Sequence, residues 1–286
     1  MNRFRTYLKE RSPLPALTFL SAGIVLSPMA MDQEFDWPVL LAAIVFNNLL
    51  FIQMRLGDEL KDFETDKIIN PTRPLPRGLY KPQEIFKLLE IFLVVLVVTG
   101  LAIGALYSLP GGACLVIASV FSWLMFKEFY MSHTLDKSPM LYALTHQVIV
   151  FPLFAWPGLT LDSSLYEDNR FLGWLIANFG ASFTFEICRK LNPSAHELAK
   201  TYAHHYGRLN TIVYCYLFMG ISAVGAYFGG FHMASWPALL ILAVALGLWQ
   251  QKPEQYKLSA GLSALSSAVI LWSPFVQWLT VLWGQA

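Results

Sequence analysis

The sequence predicts an all-α integral membrane protein, and three observations carry that prediction. The chain has 286 residues, of which 56% are hydrophobic and 14% are charged, and its mean hydropathy is +0.49. That is too little charge to cover a soluble globule of this size. The apolar residues gather in runs long enough to cross a bilayer. The lysines and arginines fall almost entirely on alternate connections between those runs.

Nine apolar runs are predicted to be transmembrane helices. In chain order they cover residues 14–31, 37–56, 84–106, 112–131, 140–160, 170–187, 211–229, 234–250 and 258–283. The first and sixth runs are the least regular, because Pro13, Pro15 and Pro28 interrupt the first and Asn178 the sixth. Residues 1–286 are therefore expected to form a single polytopic membrane domain.

The basic residues predict how the helices are oriented. Cytoplasmic connections carry an excess of Lys and Arg. Here 19 of the 20 basic residues lie before the first run or around the connections that follow even-numbered runs. The opposite side has Arg170 alone, together with several acidic residues. The sequence therefore predicts an N-inside, C-outside protein of the cell's inner or plasma membrane.

Charge and cysteine content argue against two other classes. A net charge of +1 and the lack of a basic tract interleaved with aromatics give no support for nucleic-acid binding. Cys114, Cys188 and Cys215 are isolated in the sequence, so neither a disulfide framework nor a zinc site is indicated.

Three aspartates recur at four-residue spacing just after the second apolar run, at Asp58, Asp62 and Asp66. On a helix they would share one face and repel one another by roughly 0.2 to 0.5 kcal/mol per pair. Mg²⁺ prefers such hard oxygen ligands and is often held jointly with substrate phosphates. A second interpretation stays open, in which Lys61 and Lys67 neutralise a solvated helix end.

Two connections on the predicted cytoplasmic side, at about 56–83 and 188–210, are longer and more polar than the rest. Pro71, Pro74 and Pro76 prevent a continuous helix in the first of them. We expect both to form caps over a cavity that faces the cytoplasm.

Further polar groups lie at predicted helix ends and leave two interpretations each. Glu186 sits at the membrane boundary, which favours a site, but Arg189 one turn later could be a structural partner. Lys127 could bind phosphate or pair with Glu128. His146 could be an acid, a base or an acceptor-binding group, although a lone histidine on an apolar helix is more often hydrogen-bonded within the bundle.

These residues resemble those of the UbiA superfamily of intramembrane prenyltransferases, along essentially the whole chain. That superfamily has nine helices and two acidic motifs, on the cytoplasmic loops after helices two and six. Its first motif, Asn-Asp-x-x-Asp-x-x-x-Asp, is matched here by Asp58-Glu59-x-x-Asp62-x-x-x-Asp66, and its Arg-Pro-Leu stretch by Arg73-Pro74-Leu75-Pro76-Arg77-Gly78.

The second motif, Asp-x-x-x-Asp in the family, departs further. Glu186 matches an acidic position, but Asn192 and His196 lie where more acid is expected, and Glu197 is a candidate substitute. The chain thus resembles a divergent member, in which Arg189 and Lys190 could instead supply positive charge to a diphosphate.

The resemblance implies an Mg²⁺-dependent enzyme that ionises a prenyl diphosphate and transfers the prenyl group to a lipophilic or aromatic acceptor. The implied catalytic residues are Asp58, Asp62, Asp66 and Glu186, and the implied metal ligands are these four with Glu59. The implied diphosphate-binding residues are Lys127, Arg73, Arg77, Arg189 and Lys190.

Two other functions are weighed beside this one. A membrane terpene cyclase would share the ionisation step but need no acceptor. A transporter is less favoured, because its acidic groups should lie near mid-membrane, and those here lie at one face. Prenyl length, acceptor, oligomeric state and the number of metal ions are not indicated by any residue.

Overall fold

The computed structural model describes residues 3–196 and 201–285, and within these ranges the regular secondary structure is helical, without strands. The α-helices are α1 (Arg3–Arg11), α2 (Leu14–Asp32), α3 (Trp37–Lys61), α4 (Phe63–Ile69), α5 (Pro82–Leu106), α6 (Leu109–Phe126), α7 (Ser132–Leu135), α8 (Pro139–Gln147), α9 (Val150–Leu161), α10 (Asn169–Cys188), α11 (Tyr202–Phe228), α12 (His232–Gln251) and α13 (Tyr256–Gln285). Short 3₁₀ turns cover Glu128–Tyr130, Ser163–Glu167 and Pro253–Gln255.

Several long helices start where the sequence provides a capping side chain followed by proline. Asp36 accepts a hydrogen bond from the Val39 amide at the start of α3, and Ser108 caps α6 in the same way. A proline in the first turn costs little, because those amides have no helical partner. Local sequence thus determines where these helices begin.

Nine helical segments within the described ranges are long and apolar enough to cross a membrane, as predicted. The fifth segment consists of α8 and α9, which are separated by a turn at Val148 and Ile149. Each spanning segment packs against the next, and α13 returns to α2, so that the segments form a closed bundle.

Glycines allow the closest helix pairs to approach. A Cβ built on Gly112 of α6 would overlap the backbone of α5 at Gly100 and Gly104, and one on Gly180 of α10 would overlap α11 at Ser222. Small residues at such crossings favour helix association in a bilayer, where backbone packing replaces the hydrophobic effect.

One end of the bundle, which we call the basic face, carries α1, α4 and residues 70–81. Arg3 of α1 pairs with Glu84 at 2.8 Å, and Arg77 pairs with Glu10 at 2.8 Å. The first contact holds the start of α5 against α1, and the second holds residues 70–81 against it.

The bounds of both predicted polar connections differ from the structure. The first polar connection does not begin at residue 56, because α3 continues to Lys61 through pairs at three-residue spacing between Asp58 and both Arg55 and Lys61. The second is shorter than 188–210, because α11 begins at Tyr202, with a break at Gly207, where φ is 77°.

Candidate active site at the basic face

The three aspartates stay one helical turn apart, although α3 ends between them. The Asp62 amide donates to the Asp58 carbonyl at 2.9 Å, and the Asp66 amide donates to the Asp62 carbonyl at 2.8 Å. Helical hydrogen bonding therefore continues from α3 into α4. The carboxylates lie along one side of this segment, as their spacing predicts.

The three carboxylates have different surroundings. Asp66 is buried and accepts from Arg73 Nη1 at 2.5 Å and from Asn70 Nδ2 at 2.8 Å. Asp58 is about half exposed and lies 3.6 Å from Lys61 Nζ.

Asp62 has no ion pair among the described residues. Its surface is accessible to water, yet the surrounding protein desolvates it, so burial raises the pKa of its carboxyl. The charges of Asp58 and Asp66 add to that rise, while Lys61 opposes it. An additional cation beside Asp62 would relieve both effects.

A second charged group lies at the end of α10. The Glu186 side chain, 15% exposed, accepts from Arg189 Nε at 2.5 Å and from Lys190 Nζ at 2.7 Å. Lys190 Nζ also lies 5.6 Å from the centre of the Tyr202 ring on α11. Because spacings of three and four residues share a helix face, one carboxylate holds two cations in place.

Lys61 and Tyr142 connect α3 to α8, a contact that sequence reasoning missed. Lys61 Nζ donates to the Tyr142 hydroxyl at 2.5 Å, and the Tyr142 ring stacks on His146 with centroids 4.0 Å apart. Lys61 and Tyr142 are 81 residues apart, so neither position signals the other. The available signals were only local: Lys61 follows Asp58 by one turn, and Tyr142 precedes His146 by one turn.

The charged groups at the ends of α3, α8 and α10 lie near one another. Asp58 is close enough to Arg189 to interact with it electrostatically, and His146 interacts in the same way with Asp58 and Glu186. The ends of α3, α8 and α10 therefore meet at one place on the basic face. We call this place the charged recess; it is formed by Asp58, Lys61, Asp62, Tyr142, Glu186 and Arg189.

Three predicted site residues make other contacts. Glu59 is buried and forms an ion pair with Arg11 of α1, because adjacent helix positions point about 100° apart and Asp58 faces the recess. Arg77 pairs with Glu10. Lys127 Nζ lies 4.5 to 5.4 Å from the centres of three aromatic rings, those of Phe126, Trp123 and Phe86.

Glu186 is the acidic residue of the second motif that the structure describes. Asn192 accepts a hydrogen bond from the Ser194 amide at 3.0 Å and so shapes a turn, and Glu197 lies outside the described residues. Within residues 3–196 and 201–285, no three His, Cys, Asp or Glu side chains are grouped closely enough to hold a metal ion.

The sequence model of the UbiA prenyltransferase family matches residues 16–257. No curated protein matches the chain significantly. A solved structure from work on digeranylgeranylglyceryl phosphate synthase in membranes aligns with 98% of this chain and 100% of its own, with a TM-score of 0.71 and 16% identity. At that identity the likeness shows the fold alone.

Proposed function

Because this chain belongs to the UbiA prenyltransferase family, and is therefore a membrane transferase of prenyl groups, we propose that it ionises a prenyl diphosphate at the charged recess. The prenyl group then passes to a lipophilic or aromatic acceptor. The recess faces the cytoplasm in this proposal, since the basic residues concentrate on its side of the bundle.

The observation that carries the proposal is the meeting of two differently charged helix ends. The α3 end supplies carboxylates, including Asp62, which has no ion pair among the described residues. The α10 end supplies Arg189 and Lys190. A diphosphate needs cations around its oxygens, and a divalent metal bound with it needs carboxylates. An apolar bundle below the recess suits a prenyl chain.

The donor chemistry around Asp62 fits Mg²⁺. Its carboxyl is desolvated and lies beside two other aspartates. A bound cation would offset the negative charges that the protein's own cations leave partly unbalanced. Asp58 and Asp62 would hold the ion. Asp66 and Glu186 stay predicted ligands, because each carboxylate is now paired with cations of the chain. When bound, the ion would neutralise charge developing on the departing diphosphate.

The chain's own cations bind and orient the diphosphate. Arg189 and Lys190 are already held in place by Glu186, and Lys61 by Tyr142, so little side-chain freedom is lost on binding. Arg73, anchored on Asp66, is the nearest candidate from residues 70–81. Residues 70–81 and α1 together would keep water from the cation that forms.

Arg77, Lys127 and Glu59 are not included in this proposed site. Their side chains support α1 and the α5–α6 end instead. Their predicted binding roles stay predictions, and each would require the side chain to leave a contact that it now makes.

The experiment is Mg²⁺-dependent release of diphosphate by the purified protein in detergent, using geranyl, farnesyl and geranylgeranyl diphosphates. The acceptor probes, 4-hydroxybenzoate and 1,4-dihydroxy-2-naphthoate, are added or omitted in parallel, and organic extracts are analysed by mass. We expect Asp62→Asn to lower release at least 100-fold, the scale expected when a group that stabilises transition-state charge is lost. The exposed, matched variant Glu64→Gln should not change the rate.

The outcomes separate the candidate functions. A prenylated acceptor establishes transfer. Efficient release without acceptor, together with a cyclic hydrocarbon or alcohol, indicates a terpene cyclase. No release with any prenyl length from folded protein, or equal release by Asp62→Asn, contradicts the proposal.

A further inference from the structure

His146, at the end of α8, is held in one tautomer. Its Nδ1 lies 2.7 Å from the backbone carbonyl oxygen of Tyr142 and 3.3 Å from Thr145 Oγ1. A carbonyl oxygen can only accept a hydrogen bond, so Nδ1 carries the proton. In the neutral ring Nε2 is then the unprotonated nitrogen, with its lone pair free to accept.

That lone pair has no partner. Nε2 is buried, and no group among the described residues forms a hydrogen bond with it. A buried acceptor without a donor costs free energy, and a donor that is supplied by a ligand or during a catalytic step would recover that cost. The other ring nitrogen is hydrogen-bonded and the ring is stacked on Tyr142, so the side chain is not loosely packed.

Aromatic packing holds the imidazole ring of His146 in place. The imidazole stacks on Tyr142 and meets the edge of Phe129 at 5.6 Å, and Phe129 packs in turn on Phe121 of α6. The charged groups close enough to interact with the ring are Lys61, Asp58 and Glu186. The imidazole therefore lies where the charged recess meets an aromatic wall formed by Phe129 and Phe121.

We propose that Nε2 of His146 takes the proton that the acceptor loses during prenyl transfer; this inference rests on the proposed function. The bond between prenyl C1 and the diphosphate oxygen breaks, and its electron pair leaves with the diphosphate. A ring carbon or hydroxyl oxygen of the acceptor bonds to C1. The proton on that acceptor atom moves to Nε2, and the imidazolium later releases it to water.

Other bases near the recess are less suited to this step. The carboxylates of Asp58 and Glu186 are paired with Lys61, Arg189 and Lys190. The Tyr142 hydroxyl accepts from Lys61. Asp62 has no ion pair among the described residues but is assigned to the metal, which leaves Nε2 of His146 for this step.

The test compares wild type with His146→Gln and His146→Asn, with His133→Gln, an exposed histidine on α7, as the matched control. Asn retains a donor near the Nδ1 position, and neither variant has a base at Nε2. For each protein we would measure released diphosphate and prenylated acceptor, using farnesyl and geranylgeranyl diphosphates with the two acceptor probes above, between pH 3.5 and pH 9.

We expect both His146 variants to bind and ionise the diphosphate but to form prenylated product roughly 100-fold more slowly, the lower end of what a general base contributes. Released diphosphate should then exceed product, with prenyl alcohol making up the difference. The wild-type rate of product formation should fall towards low pH as the imidazole takes up a proton. The rate of the two His146 variants should not show that fall. If the cation reacts without acceptor, the same variants should shift products from alkene to alcohol.

Contrary outcomes are distinct. Product at the wild-type rate with an unchanged pH profile overturns the role of His146 and leaves the proposed function intact. If His146→Gln loses diphosphate release and product formation together, and His146→Asn retains both, the side chain is structural. A wild-type protein that releases no diphosphate overturns the proposed function itself. Nitrogen-15 NMR of the histidines gives a readout independent of activity, since a protonated Nε2 in neutral His146 would also refute the proposal.

Discussion

Replacing Arg11 with methionine tests whether Glu59 is a structural residue. The Glu59 side chain is fully buried and its Oε1 is paired with Arg11 Nε, while Oε2 has no hydrogen-bond partner among the described residues. Arg11 is itself only 16% exposed. Methionine keeps most of the length of arginine but removes the charge, so the variant leaves a carboxylate buried beside an apolar group.

The expected loss of unfolding free energy in Arg11→Met follows from this burial. An isolated buried carboxylate most easily relieves its charge by taking up a proton. Ordinary glutamates titrate near pH 4.3, so keeping one protonated at pH 7 costs about 3.7 kcal/mol, at 1.36 kcal/mol per pH unit. This agrees with the roughly 3–5 kcal/mol measured when one member of a buried pair is removed. At pH 5 the same cost falls to about 1 kcal/mol.

The assay is reversible unfolding in mixed micelles at pH 7 and pH 5. The control is Lys9→Met, on the exposed side of the same helix. Arg11→Met with Glu59→Gln should recover most of the lost stability, because no charge is then buried, and should keep the Mg²⁺ requirement of catalysis. A structural role for Glu59 is excluded if Arg11→Met is no less stable than Lys9→Met, or if the double variant alters metal dependence.

Two further predictions concern α1 and the α5–α6 crossing. A hydrogen bond from Arg77 lowers the pKa of Glu10, so the stabilising contribution of this pair is present at neutral pH and is lost as pH falls through the lowered value. Hydrogen exchange of α1 amides, corrected for intrinsic rates, should therefore increase as the pH is lowered through that value. Gly112→Ala should destabilise the protein by about 1 to 3 kcal/mol in the same unfolding assay, because the added methyl overlaps the α5 backbone.

Each of these has its own control. Gly220→Ala on α11 has open space around the added carbon and should be neutral or stabilising, since alanine favours helix more than glycine does. Equal effects of the two glycine variants would contradict the packing argument. Acid-induced exchange that persists when Glu10 is replaced by Gln would assign the effect to other groups.

The sequence predicted the nine spans and the shared face of the aspartates because both depend on local chain geometry. Apolar length alone identifies a span, and a four-residue period alone aligns Asp58, Asp62 and Asp66. It did not predict the partners of Glu59 or Lys61, which come from helices distant in sequence. Rotation of a helix about its axis is set by its neighbours, and no local pattern encodes it.

The end of α6 shows the same limit. The fourth span was predicted to reach residue 131, but α6 ends at Phe126, and Glu128, Phe129 and Tyr130 follow with φ of 48°, 53° and 56°. Left-handed backbone is uncommon outside glycine and carries no sequence signal in this segment. It orients Phe129 against His146, a contact that only the folded chain reveals.

Whether the charged recess binds a metal and a prenyl diphosphate together can be seen in a crystal structure with Mn²⁺ and a non-hydrolysable farnesyl thiodiphosphate. We expect an anomalous peak between Asp62 and the diphosphate, with Arg189 and Lys190 on the phosphate oxygens and the farnesyl chain running into the bundle from the recess. A diphosphate bound elsewhere, or bound at the recess without metal beside Asp62, would contradict this expectation.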